Sequence, residues 1–166
     1  LRCGKTSPTY LSCSGFWSEN RIYASGGYPE NQTVCLSDDG EIVWTNKVRV
    51  YESSMLVVGR DLLAVRGDGV AFMWDGETGK EKWKKRITSN VSASPVICDD
   101  RVMVTSLTGE TIVFRAGDTC EILAKNKLGE ECFTSHCIVD GKIFLRIAYG
   151  IGKERQEQVV CIGLCW

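Results

Sequence analysis

A single histidine, His136, serves the whole chain of 166 residues, and its nine cysteines include no C-x-x-C pair. Tetrahedral metal modules are assembled from two such halves, so Cys132, His136 and Cys137 have no second half to meet. No apolar run approaches the ~20 residues that span a bilayer. No basic stretch followed by an apolar one marks a secretory leader, although the chain opens at Leu1 rather than Met. A formal net charge of −1 leaves no overall field drawing the chain toward nucleic acid or a membrane surface. Helix is missing too: no window of a dozen residues sets apolar positions at helical spacing between caps. With 43% apolar residues the chain still has the material for an ordinary folded core, which strands must then supply.

What is present is repetition. A serine in an extended run recurs at Ser14, Ser54, Ser94 and Ser135, with gaps of 40, 40 and 41. A charged residue opening an apolar trio recurs with the same gaps at Arg21, Asp61, Arg101 and Lys142. Periods near 40 belong to propellers and other arrays. Within the third copy, Ser94–Ile97, Arg101–Ser106, Thr111–Arg115 and Glu121–Lys125 are short β-branched runs separated by Asp, Gly and Thr turns, which predicts four strands. Four antiparallel strands per repeat make one propeller blade. The expected fold is all-β, a partial β-propeller of about four four-stranded antiparallel blades. They read as 11–46, 52–87, 91–127 and 132–166 of a single domain, 1–166. The opening residues look like the end of an earlier unit, and Trp166 precedes any last outer strand, so the chain reads as a piece of a longer protein. Propellers close with about 4–8 blades, and four blades of this width are expected to form an open arc that adjoins the missing blades of its own chain.

A third landmark is a glycine followed four residues later by tryptophan: Gly40 with Trp44, and Gly79 with Trp83. In Asp75-Gly76-Glu77-Thr78-Gly79, Asp75 can bond turn amides and Gly79 supplies a positive φ, so each indole leaves its blade at one place. A repeated buried indole clips neighbouring blades together, and Trp83→Ala is expected to cost about 3–5 kcal/mol. Asp75-x-x-Thr78-Gly79-Lys80-x-x-Trp83 resembles the tryptophan-docking motif of pyrroloquinoline-quinone-type propeller repeats. The segments 24–33, 91–96 and 155–163 are similar to an uncharacterised group of such proteins common in planctomycete-type bacteria. The copies are uneven. Blade one keeps Trp44 behind Asp39-Gly40, and blade three has Ala124 where the indole would stand. Firmer joints are therefore expected between blades one and two and between two and three than further along.

The resemblance implies two kinds of function. Many proteins with this repeat are scaffolds, and that is the reading preferred here: a non-enzymatic module that binds protein partners, exported or periplasmic, with no cofactor. Quinoprotein dehydrogenases of the family hold pyrroloquinoline quinone with calcium at the axis, often beside a disulfide of adjacent cysteines. This sequence has no adjacent cysteines and no recognisable ligand segment, so a dehydrogenase fragment is the alternative. A WD-type repeat is the second alternative, because Trp74-Asp75 ends a strand. It lacks the Gly-His pair such repeats place upstream.

The remaining candidates have plainer readings. Cys35 and Cys161 lie within apolar runs, where a thiol behaves as a small hydrophobe; a disulfide or a metal among the nine cysteines stays open. His136 stands where blade three has Pro95 and reads as a packed strand residue whose neighbour Cys137 faces the other way. Gly4-Lys5-Thr6 lacks the glycine and helix of a phosphate loop. Lys80, Lys82, Lys84, Lys85 and Arg86 suit an exposed edge strand better than a nucleic-acid stripe. Two loops, Gly26–Asn31 and Tyr149–Gln158, are longer than their counterparts at 67–69 and 108–109 and join the same pair of strands, so they project from one face. Tyr28, Glu30, Asn31, Tyr149, Lys153, Glu154 and Arg155 are the candidate contact residues.

Overall fold

A computed structural model describes residues 16–18, 20–26, 30–150 and 152–163. Among the described residues fifteen strands fall into four antiparallel sheets, each a meander in chain order. Blade one holds β1 (Phe16–Ser18), β2 (Arg21–Gly26), β3 (Gln32–Ser37) and β4 (Ile42–Asn46). Blade two holds β5 (Leu56–Val58), β6 (Asp61–Val65), β7 (Val70–Asp75) and β8 (Glu81–Arg86). Blade three holds β9 (Val96–Cys98), β10 (Arg101–Thr105), β11 (Glu110–Ala116) and β12 (Cys120–Lys127). Among the described residues blade four has three strands, β13 (Cys137–Val139), β14 (Lys142–Tyr149) and β15 (Gln156–Ile162), with a 3-10 turn at Gly152–Glu154. The all-β, partial-propeller architecture is as the repeat predicts.

The charged residue of the second landmark opens the second strand of every blade, directly after a two-residue hairpin turn. Backbone φ is positive in each of these turns, at Asn20, Gly59 and Asp99 and at both Asp140 and Gly141. Those are the residues that tolerate the left-handed turns matching strand twist. A second regularity is invisible in the sequence. The register of the two outer strands shifts by one residue at Cys35/Leu36, Met73/Trp74 and Val113/Phe114. The extra residue in the outer strand is Val43, Lys82 or Leu123, directly before Trp44, Trp83 and Ala124. A bulge at that point twists the outer strand and re-aims the side chain that follows.

Strand alternation gives each inner blade two apolar faces. Leu62, Ala64, Phe72 and Trp74 face blade one and bury against Tyr23, Cys35 and Trp44, with Val50 and Met55 from the connection. Leu63, Val65, Ala71 and Met73 face blade three and bury against Val102, Val104, Ile112 and Phe114. The cluster in blade four is far smaller, with Cys132, Leu145 and Ile147 at its centre. All six described cysteines are free thiols. Cys35 is buried, and desolvation pushes its thiol up to about 11. Cys161 corrects the expectation of a buried thiol, because β15 is an exposed strand and Cys161 lies open on it.

Candidate functional site

The joints between blades fix where every loop and cleft lies. Trp44, 8% exposed, leaves β4 and donates its indole N–H to the Gly76 carbonyl at 2.9 Å, in the β7–β8 turn of the next blade. The Tyr23 hydroxyl donates to the same carbonyl at 3.1 Å, and the Tyr23 and Trp44 rings lie 5.9 Å apart. Gly76 and Tyr23 are parts of this joint that the motif does not name. A Cβ on Gly76 would stand 2.3 Å from the Arg60 carbonyl oxygen, which leaves no room for a side chain. The turn itself is held by Asp75, whose carboxylate accepts from the Thr78 hydroxyl at 2.7 Å and the Thr78 amide at 2.8 Å. Those bonds, the hydroxyl first, hold the Asp75 carboxyl below the usual range. Gly79 sits at φ +70, and a Cβ there would lie 2.6 Å from the Trp44 ring. Gly40 occupies the matching place in blade one at φ +90, with nothing within 4 Å.

Trp83 repeats the arrangement one blade on, donating to the Gly117 carbonyl at 2.9 Å in the β11–β12 turn. It is half-buried, packed at the margin of the larger core cluster. The heaviest truncation penalty therefore moves from Trp83 to Trp44.

The serine landmark also acquires a physical role. The Ser54 amide donates to the Ser94 hydroxyl at 2.9 Å, and the Ser94 amide donates to the Ser135 hydroxyl at 2.8 Å. The serines of the third and fourth repeats thus each cap the backbone of the preceding repeat, while Ser14 lies outside the described residues. An isolated repeat cannot show why the position must be a small hydroxyl residue.

Between blades three and four the chemistry changes. Ala124 replaces the indole, and the face of β10 and β11 toward blade four carries Thr105 and Thr111, whose hydroxyls lie 2.7 Å apart. His136, 7% exposed, brings Nε2 to 3.1 Å from the Thr105 hydroxyl. Its Nδ1 is buried without a hydrogen-bond partner among the described residues. Desolvation lowers the His136 pKa from its ordinary value of 6.5. The unfolded chain therefore takes up the imidazole proton before the folded chain does, and stability falls as pH drops below about 6.5. The carboxyls held low at Asp68, Asp75 and Asp100 lose their contribution only in a lower window, below the ordinary carboxylate value of 3.8. We expect the urea midpoint to fall between about pH 7.5 and 5 in the parent chain and to stay nearly level in His136→Gln. Equal slopes in both would show that the imidazole is not responsible.

The second-to-third-strand turns and the blade-to-blade connections share one face of the disc. There a cleft of about 530 Å³ runs from Asn31 of blade one across Arg66, Gly67 and Asp68 of blade two to Leu107 of blade three. Its walls include Lys47, Arg49, Tyr51 and Glu52 from the first connection and Asn90, Val91 and Ser92 from the second. The Arg49 guanidinium lies 5.1 Å above the Tyr51 ring. Arg66 donates to both Asp68 carboxylate oxygens, at 2.9 and 2.6 Å, and Arg86 approaches the same carboxylate at 3.6 Å.

Of the candidate contact residues, Asn31 lines this cleft and Glu30 is exposed beside it, while Tyr28 lies outside the described residues. Tyr149 is exposed at the end of β14, paired with Gln156, and Lys153 and Glu154 are exposed in the β14–β15 connection, so the loop is shorter than the 149–158 expected. Arg155 is engaged: its guanidinium pairs with Glu131 at 2.8 Å and with Glu157, which also pairs with Arg146. Sequence spacing did not reveal Lys47, Arg49 or Tyr51, which lie in a connection without turn signals.

Four antiparallel blades, the first three joined by indoles and the fourth through the Thr105–His136 contact, define a β-propeller module. The sequence model of the family described as outer membrane protein assembly factor BamB matches residues 17–122, and the chain belongs to this family of pyrroloquinoline-quinone-like propeller repeats. That family replaces the WD-type alternative. Among curated proteins none matches the chain in sequence. The fold is similar to BamB from Moraxella catarrhalis, with a TM-score of 0.72 at 13% identity over 86% of this chain and 47% of that one. It is equally similar to the computationally designed Ika4 protein, with a TM-score of 0.72 at 14% identity over 96% of this chain and 95% of the design. A quinohemoprotein alcohol dehydrogenase, ADHIIG from Pseudomonas putida, gives 0.65 at 10% identity over 84% of this chain and 28% of the enzyme. The chain thus spans about half of the Moraxella protein and little more than a quarter of the dehydrogenase. Among the described residues no helix is long and apolar enough to cross a membrane.

Proposed function

We propose that this chain is a non-enzymatic propeller module that binds protein partners through its loop face. The observation that carries this reading is the cleft across three blades, lined by the turns and connections that those blades hold in place. Loops on a stiff scaffold are where such modules present contacts. The long β2–β3 and β14–β15 loops, with Glu30, Asn31, Tyr149, Lys153 and Glu154, rim the same face. The family's description as an outer-membrane protein assembly factor supports a scaffold role and an exported, periplasmic location.

The alternative, a piece of a quinone-dependent dehydrogenase, needs oxygen ligands for calcium, which takes six to eight of them. Among the described residues no three His, Cys, Asp or Glu side chains converge. The one aspartate at the cleft, Asp68, is already bound by Arg66 on both oxygens. Titrating the protein with pyrroloquinoline quinone and calcium, while following absorbance and dye reduction, tests the choice. We expect no saturable binding and no turnover; tight one-to-one binding would overturn the reading. A pull-down with Tyr28 and Tyr149 both changed to Ser should lose partners, and an unchanged set would remove the loops from the interface.

A further inference from the structure

The seam between blades three and four is built unlike the other two joints. Ala124 stands where an indole would cross it, and the apolar cluster of blade four is the smallest of the three. Val102 and Val104 of β10 face blade two, so Met103 and Thr105 face blade four. Thr105 meets Thr111 of β11, and the buried His136 extends this polar row with Nε2 at 3.1 Å from the Thr105 hydroxyl. Past Cys132, blade four is bonded to blade three through this contact and through the Ser94 amide on the Ser135 hydroxyl.

A proton on the imidazole is poorly accommodated in the closed seam. Nε2 can then donate to Thr105, whose hydroxyl turns to Thr111, but Nδ1 is buried and has no partner among the described residues. The charged groups on the surrounding elements are engaged elsewhere. Glu110 and Arg115 of β11 bind Thr88 and Asp100, Glu130 and Glu131 of the connection bind the Gly150 amide and Arg155, and Arg146 of β14 binds Glu157. Arg101 and Lys142 lie exposed where β10 and β14 begin, and β9, the connection and β13 add only the thiols Cys98, Cys132 and Cys137. None of these acts on the ring, whose pKa is lowered by desolvation alone.

We infer that blade four is a pH-gated flap: a proton on His136 swings β13–β15 away from blade three, while the indole-bonded joints of blades one to three stay shut. The open form gives both ring nitrogens water and lays bare Met103 with the Leu145–Ile147 face. The pivot falls at Gly129, between the Leu128 amide bonded to Gly109 of blade three and the Glu130 amide bonded to Ala148 of blade four. The Cys132 amide lets go of the Leu107 carbonyl as the flap moves.

The three methionines, all buried, report on the three joints separately. Met55 lies in the cluster between blades one and two, Met73 in that between two and three, and Met103 in the seam. A thioether has no proton to exchange near neutral pH. A short pulse of hydrogen peroxide on the whole chain therefore reads access, as sulfoxide in mass spectra of each peptide. With the open-state imidazole at its ordinary value of 6.5, one proton raises opening by at most about thirtyfold between about pH 7.5 and 5. We expect Met103 oxidation to rise roughly tenfold or more over that range, with Met55 and Met73 unchanged. In His136→Gln, which keeps a polar side chain without the titrating ring, Met103 should oxidise at one slow rate throughout. His136→Leu serves as the second variant, and the contrast between Met103 and Met73 in the parent chain needs neither. An equal rise at all three methionines would mean that the whole chain loosens, and would overturn the flap. A level Met103 in the parent, or the parent's pH response retained in a folded His136 variant, would overturn it as well.

Discussion

Trp44→Ala is expected to remove about 3–5 kcal/mol of unfolding free energy, the usual range for truncating a buried aromatic. The side chain is 8% exposed and belongs to both blades it joins. Removing it opens a cavity against Tyr23 and the turn that holds Gly76 and Gly79, with cavity cost added to lost burial. The Gly76 carbonyl keeps the Tyr23 hydroxyl as donor, so the hydrogen-bond loss alone is the smaller part. Trp44→Phe separates the two contributions: it retains most of the apolar area and forfeits the indole N–H, and should cost about 1 kcal/mol for the bond plus some packing. Trp83→Ala, at a half-buried site, should cost roughly half as much as Trp44→Ala. Chemical melts of the three variants give the order, and a Trp44→Ala loss below about 1 kcal/mol would show that the indole does not hold the blades together.

Gly79→Ala should destabilise by about 2–6 kcal/mol for two separable reasons. Alanine at φ +70 carries a backbone penalty of about 1–3 kcal/mol. Its Cβ also meets the Trp44 ring at 2.6 Å, and overpacking of this kind costs about 1–3 kcal/mol. Gly40→Ala isolates the first reason, because its φ is +90 and nothing lies within 4 Å of the added carbon. Gly79→Ala combined with Trp44→Ala isolates the second, since the added methyl then points into space the ring has vacated. The double variant should be less damaged than the two single losses predict, by about 1–3 kcal/mol. Additivity to within about 0.5 kcal/mol would mean that Trp44 and Gly79 do not form one joint.

Those two residues also mark how far the sequence can be read. The fixed interval from Gly79 to Trp83 identifies a turn and the strand leaving it, but the partner of Gly79 is Trp44, 35 residues earlier in the chain. Spacing within a motif reports a residue's own hairpin, while the ring it touches comes from the blade before. The same holds for the serines, legible as a period of 40 and explained only when the Ser54 amide is seen reaching Ser94. Lys47, Arg49 and Tyr51 had no pattern to betray them, because a cleft among three loops is a property of no single segment. Arg155 looked like an available loop cation and is held by Glu131 and Glu157, an arrangement that strand alternation cannot foresee.

Local chemistry was sufficient to determine the all-β class, the four-unit period, the placement of strands and turns, and the fading of the indole joint at Ala124. The class, the strands and the turns depend on side-chain alternation and turn residues within some ten positions of one another, and the period on the same pattern recurring every 40 or 41 residues. Tertiary structure alone decided the bulge that aims each indole, the convergence of Tyr23 and Trp44 on one carbonyl, the polar seam around His136, and the cleft on the loop face. These arise where separate repeats meet, and the distances between repeats are set by packing of whole sheets, which no short stretch of chain encodes by itself.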